Sequence, residues 1–220
     1  MDVNYLGIDR VMKRGTGEVL EERDGAILVK DLVSGAYLLS CSDKELGTSL
    51  LDRYADKCGL MMTTDCDLGI SFYERYGFSE KLECFQFAYY GEAPSTDDTL
   101  FVRCADAGDL PMLTETYHLI SPAELRLVVE RGSLLLGYRD GRPVGFIGEH
   151  LEGSMGLLFV FPEFRRRGFA AELEKIYIGK TIERGFIPFG QVEKDNAASL
   201  RLQEKLGMTR SDSLICWMWK

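Results

Sequence analysis

The chain has 220 residues, 45% hydrophobic and 28% charged, the composition of a globular protein large enough to bury a sizeable core. A formal net charge of −9 argues against nucleic acid and anionic membrane as partners, and no apolar run approaches the roughly 20 residues of a spanning helix. Cysteines 41, 58, 66, 84, 104 and 216 form no C-x-x-C pair, and the N-terminal MDVNYLGIDRVMKRG has no apolar h-region. Reduced core thiols in a cytoplasmic protein, with no metal site and no signal peptide, are therefore expected.

In chain order, Glu18–Glu22 and Ala26–Lys30 read as a hairpin and Ala36–Ser40 as a strand. A helix is expected from Ser42 to about Lys57, opened by a capping box of Ser42 and Glu45. Leu60–Thr64 is a strand, Leu68–Tyr76 a helix and Leu82–Tyr90 a strand. Residues 91–99 have the composition of a linker. Beyond it, Leu100–Arg103 is a short strand, and helices are expected from Asp109 and from Ser121, the second with a Ser121–Glu124 capping box. Ser133–Tyr138 and Pro143–Glu149 make a hairpin around the turn signal Arg139-Asp-Gly-Arg142. Met155–Phe161 is a strand, Phe169 to about Arg184 a helix, Ile187–Val192 a strand, Asn196–Leu206 a helix ended by Gly207, and Leu214–Trp219 a strand.

The chemistry concentrates where the apolar run Leu157–Phe161 ends at Pro162 and meets Arg165, Arg166, Arg167, Gly168, Phe169 and Ala170. A strand, a basic glycine turn and a helix start, in that order, build an anion site. The helix's first N–H groups point at the ligand, glycine lets the backbone approach, and arginine adds charge-assisted hydrogen bonds. Taken singly, a triple arginine reads as a solvated helix start and Asn196 as a plain N-cap; together, at this spacing, they favour a ligand. The halves also echo each other. Ser71–Phe78 aligns over Arg201–Met208, and Lys44-x-x-Gly47-x-Ser49 over Arg165-x-x-Gly168-x-Ala170, as an internal repeat would.

Arg165, Gly168 and Ala170, followed by Asn196, Ser199, Leu206, Gly207 and Met208, resemble the GNAT acetyltransferase family. Phe186–Val192 and the ending Cys216-Trp-Met-Trp219 look like its glycine N-acyltransferase-like branch. The resemblance implies an α/β (α+β) GNAT fold, a mixed central sheet flanked by helices, in two tandem units. Residues 1–92 would form a degenerate, non-catalytic GNAT-like domain and 98–220 the acyl-CoA-binding domain. It implies acetyl-CoA as co-substrate, its pyrophosphate on the N–H groups of Arg166 to Ala170 and its pantetheine along Phe159–Phe161. Asn196 and Ser199 would line the other side of the cleft. A backbone N–H near Phe159 or Val160 would polarise the thioester carbonyl. The implied reaction is direct acyl transfer to a primary amine of a small molecule or amino-acid-like acceptor.

The N-terminal copy keeps the fold signals and loses the ligand chemistry. Its capping box fills the anion position, Asp43 and Glu45 bring the wrong charge, and Cys66 stands where the other half has Asn196. That leaves it a structural, dimer-forming or substrate-shaping role, with a homodimer among the partners this allows, and makes Tyr73 a packing residue with an exposed hydroxyl. The second half has Gln203 in place of the family's acidic Tyr and Phe159 in place of a strand carboxylate. Base candidates are therefore Glu149, His150 and Glu152. The alternative is a non-catalytic acyl-CoA-binding or interaction module. Gly153-Ser-Met-Gly156 falls short of a nucleophile elbow because Glu152 stands where glycine is required.

Overall fold

The computed structural model describes residues 2–220; Met1, the first residue of the expected N-terminal domain, lies outside them. Contacts divide the chain into two compact units, one holding the chain up to Ala88 together with Gln191–Lys220, the other Tyr89–Gly190. This differs from a division into 1–92 and 98–220. The reason is the last strand, which pairs inside the first unit.

The first unit begins with a helix the sequence reading did not anticipate, α1 (Leu6–Lys13), which buries Leu6, Ile8 and Val11. Next come β1 (Gly17–Arg23), β2 (Ala26–Asp31) and β3 (Tyr37–Cys41), an antiparallel meander. Helix α2 (Lys44–Leu51) crosses to β4 (Leu60–Thr63), which runs parallel to β3. Helix α3 (Cys66–Tyr76) leads to β5 (Glu80–Ala88). The expected helix to Lys57 stops at Leu51, where bonds from Tyr54 to Leu51 and from Lys57 to Tyr54 tighten the chain into turns.

The C-terminal strand β11 (Thr209–Trp219) lies between β4 and β5, antiparallel to both, giving the order β1-β2-β3-β4-β11-β5. It starts five residues earlier than expected. A register break between Arg210 and Leu214 takes up the polar Ser211-Asp212-Ser213, whose composition reads as loop. Strict alternation splits the core into two faces. Leu28, Leu39, Met61, Cys216 and Met218 pack with α2 and α3, whereas Val29, Leu38, Met62, Ile215 and Trp217 pack with α1.

The second unit contains β6 (Phe101–Cys104), α4 (Leu110–Thr116), α5 (Pro122–Glu130), β7 (Leu134–Arg139), β8 (Arg142–Glu149), β9 (Met155–Val160) and α6 (Phe169–Glu183). It closes within β10 (Phe189–Glu193), and its order is β6-β7-β8-β9-β10. All these pairs are antiparallel except β9 with β10, so α6 is a parallel crossover as α2 is. Central strands β7 and β8 are buried almost throughout, which is why they read as unbroken apolar runs. Between β10 and β11 the chain forms α7 (Ala197–Lys205), which belongs with the first unit. Leu206 caps α7 and Gly207 takes the left-handed position after it, at φ 73°.

Ile215, Cys216 and Met218 are fully buried. At about 1.5–3 kcal/mol per large apolar side chain, with two ladders added, β11 accounts for stability comparable to a whole domain's ~5–15 kcal/mol. Ending the chain at Gly207 is expected to abolish cooperative thermal unfolding of the first unit by circular dichroism, although residues 1–88 remain intact.

Candidate functional site

The site grows from a bend in β9. Phe146 pairs with Phe159 and Gly148 with Gly156, so Ile147 of β8 faces both Leu157 and Leu158. This is a β-bulge, and Leu157 adopts φ 50°, a left-handed conformation costly for a bulky side chain. Leu157 is 1% exposed, and burial holds it there. The approach of the strands beyond the bulge depends on Gly145, where a Cβ would lie 2.2 Å from the Phe159 carbonyl oxygen. The parallel register of β9 with β10 is a single pair, Gly190 with Met155. Phe159, Val160 and Phe161 are half-buried. Phe159 stacks on Phe146 at 5.4 Å and meets Phe161 edge-on at 5.5 Å, a wall of aromatic rings along the strand end.

After β9 the chain makes a 3-10 turn at Pro162–Phe164. Arg166 (φ 64°) and Gly168 (φ 88°) are both left-handed, and α6 starts at Phe169 with Gly168 as its N-cap. Left-handed residues interspersed in a turn bring successive N–H groups to one side, forming an anion-binding concavity. Gly168 has no side chain, and no side-chain cap closes the first turn of α6. Other helices that start from a loop are capped: Asp43 accepts from Leu46 N–H at 2.8 Å, Asp65 from Leu68 N–H at 2.8 Å, and Ser121 from Glu124 N–H at 3.1 Å. The expected Ser42 cap of α2 is thus made by Asp43, one residue later, and Asp65 rather than Cys66 takes the equivalent place on α3. The electrostatic contrast stands: α2 closes its N-terminus with its own carboxylate, whereas α6 leaves its first turn open beside three arginines.

The arginines have different roles. Arg165 Nε donates to the Val160 carbonyl at 3.0 Å, and its guanidinium lies 5.5 Å from the Phe159 ring centroid. It braces the turn against the strand end. Arg166 and Arg167 are exposed, and Arg167 lies 5.8 Å from the Phe164 ring.

The base candidates separate by their surroundings. Glu149 is 5% exposed and pairs with both terminal nitrogens of Arg184, at 3.0 and 3.4 Å, joining β8 to the end of α6. Glu152 is buried and accepts from the Ser154 hydroxyl. Ser154 is itself 1% exposed, which suits a packing residue rather than a nucleophile. His150 begins the tight β8–β9 loop, its ring lying against Gly156, where a Cβ would be 2.7 Å from Nε2. Its Nδ1 is 3.9 Å from a Glu124 carboxylate oxygen. Burial pushes the imidazole pKa down, but Glu124 and then Glu152 outweigh it, and the net shift is upward from the usual value near 6.5. Glu124 was hidden in the sequence as the far member of a capping box, and spacing along the chain gave no signal that it meets His150.

Asn196 and Ser199 lie in the first unit. Asn196 is the N-cap of α7, its Oδ1 accepting from Ser199 N–H at 3.1 Å. Gln203 on α7 is 7% exposed. The Tyr73 hydroxyl donates to the Ser79 carbonyl at 3.2 Å. Trp217 is buried, donating to Gln191 Oε1 at 2.7 Å, and Trp219 is partly exposed. Among the described residues no group of three His, Cys, Asp or Glu could hold a metal, and no helix is long and apolar enough to cross a membrane.

Residues 136–218 match the model of the FR47-like protein family. No curated protein matches the chain. Among solved structures, a Drosophila protein superposes with a TM-score of 0.67 at 16% identity, over 100% of this chain and 90% of its own. A GCN5-related N-acetyltransferase-like protein from Streptococcus suis gives 0.58 at 13% identity, over 99% and 97%. A tandem GNAT protein from the clavulanic acid biosynthesis pathway gives 0.52 at 10%, over 88% and 77%. The mixed sheets, the parallel crossover at α6 and these superpositions establish that the chain has the GNAT fold.

Proposed function

We propose that the chain is an acyl-CoA-dependent N-acyltransferase, with acetyl-CoA as donor and a primary amine of a small or amino-acid-like molecule as acceptor. The observation that carries this reading is the uncapped start of α6, held open by left-handed Arg166 and Gly168 just beyond the β9 bulge. Its donors are backbone N–H groups flanked by guanidinium, a set that fits a diphosphate. The α2 start, closed by Asp43 with Glu45 in its first turn, does not fit one, which supports a single cradle and a non-catalytic N-terminal half within a tandem arrangement. Phe186–Val192 and the Cys216–Trp219 ending favour the glycine N-acyltransferase-like branch.

CoA supplies an acyl group activated as a thioester. The N–H groups of Arg166 to Ala170 bind the pyrophosphate, Arg165 fixes the turn, and the edge of Phe159–Phe161 receives the pantetheine arm. Gly156 lies four residues before Val160, about 13 Å along a strand, so His150 sits at the far end of β9 from the cradle. His150 takes the proton that the amine must lose before attack, and Glu124 and Glu152 stabilise the imidazolium. Glu149, engaged by Arg184, stays a brace. A non-catalytic acyl-CoA-binding module is the second reading, favoured by Phe159, whose stacked ring occupies the place of a strand carboxylate.

Gly168→Asp adds a side chain at φ 88° and a negative charge at the helix start. It is expected to weaken acetyl-CoA binding by about 2 kcal/mol, ~30-fold, in a thermal-shift titration; wild-type protein that shows no shift with acetyl-CoA refutes the reading. The base must be neutral to act, so the rate should rise with pH through a limb above 6.5, the direction of the His150 shift. Glu124→Gln is expected to move that limb to lower pH, and His150→Gln to lower kcat by ~10²–10⁴ while CoA binding persists. CoA thiol release against a broad amine panel separates the two readings, since the binding module gives a thermal shift and no release.

A further inference from the structure

The connection from α4 to α5 carries two side chains onto the sheet of the second unit. Tyr117, the C-cap of α4, meets the Phe146 ring edge-on at 5.7 Å. Glu124, in the first turn of α5, faces His150. Phe146 stacks in turn on Phe159, so one ring joins Tyr117 to the strand end that receives the pantetheine arm. Tyr117 is 8% exposed, yet its hydroxyl has no hydrogen-bond partner among the described residues and is not sealed from solvent. Burial, and after it the charge of Glu124, pushes the pKa of that hydroxyl up to about 12, so it stays protonated near neutral pH. A mostly buried phenol with an unused donor and unused lone pairs is costly, and a ligand would relieve that cost.

The surroundings of that hydroxyl are acidic. The Glu124 side chain is 33% exposed, and Glu152 lies buried beside His150. Among the described residues neither carboxylate pairs with a lysine or arginine. When His150 is the neutral base, the cluster carries net negative charge and suits a cation. We propose that the Tyr117 hydroxyl and the Glu124 carboxylate hold the acceptor's ammonium beside His150, and that they select amines without a neighbouring carboxylate. The ammonium donates one N–H to the Tyr117 oxygen and one to Glu124. Its third proton passes to the neutral imidazole, which frees the lone pair to attack the thioester. A carboxylate on the adjoining carbon would be drawn in beside Glu124 and Glu152, where like charges repel. The inference rests on the acyltransferase reading and narrows its acceptor: a decarboxylated amine or an amino-acid amide fits, and a free amino acid does not.

The test is CoA thiol release by the full chain with matched acceptors, phenethylamine against phenylalanine and isopentylamine against leucine, pairs that differ only in the carboxylate. The amine of each pair is expected to show a kcat/KM at least about tenfold above that of the amino acid. Tyr117→Phe keeps the ring against Phe146 and is expected to raise KM for the amine about tenfold, while kcat and the acetyl-CoA thermal shift change by less than about twofold. Glu124→Gln should shrink the preference within each pair. Equal rates within the pairs, or a preference for the amino acid, overturn the inference and leave the acyltransferase reading intact. So does a Tyr117→Phe variant whose KM is unchanged, or whose kcat falls with every acceptor alike, as it would if the residue only supported the fold. Release from no acceptor, these or the wider amine panel, overturns both.

Discussion

Everything proposed for the second unit depends on the bend in β9. A strand that kept its register against β8 would continue straight, and its end would carry an ordinary ladder. Instead Leu157 is held at φ 50° by complete burial, two residues oppose one, and Gly145 lets the strands close up again beyond the break. Strain of order 1–3 kcal/mol at one residue persists because the surrounding core over-determines it. The bend sets the course of Phe159–Phe161, and Arg165, bonded to the Val160 carbonyl, transmits that course to the turn and to the first N–H groups of α6.

The two crossover helices show what the second unit forgoes. A side-chain N-cap is worth about 1 kcal/mol, and α2 has one in Asp43. Helix α6, almost twice as long, has a bare glycine there. Its donors are left to solvent or ligand, a local loss of stability that fits a binding role. At the other end of β9 the same economy appears with opposite sign, where Glu124 and Glu152 favour a cation at His150.

Much of this was legible in the residues. The hairpins, both crossover helices and the Arg165–Ala170 turn follow from period, caps and glycines, signals that act within a few positions. What escaped was set by contacts distant in sequence. Helix α1 is short, and its apolar residues gain their meaning only against strand residues such as Val29, Leu38, Met62 and Ile215. Glu124 satisfies a capping pattern on paper, yet its carboxylate meets a histidine 26 positions later. The Leu157 bulge has no signature, since an apolar run looks the same with or without a register break. The polar Ser211–Ser213 hid the first five of the eleven residues of β11 for the converse reason.

The place of β11 also shapes how the chain comes to be folded. Strands β4 and β5 leave the ribosome early, and the strand that must lie between them leaves after every other described strand. Until then each presents an unpaired edge and half of a core, the condition in which stray strand pairing competes with folding. Residues 89–190, whose strands pair with one another, are complete before that gap is filled. During synthesis the middle of this chain is therefore positioned to fold first, and the beginning last.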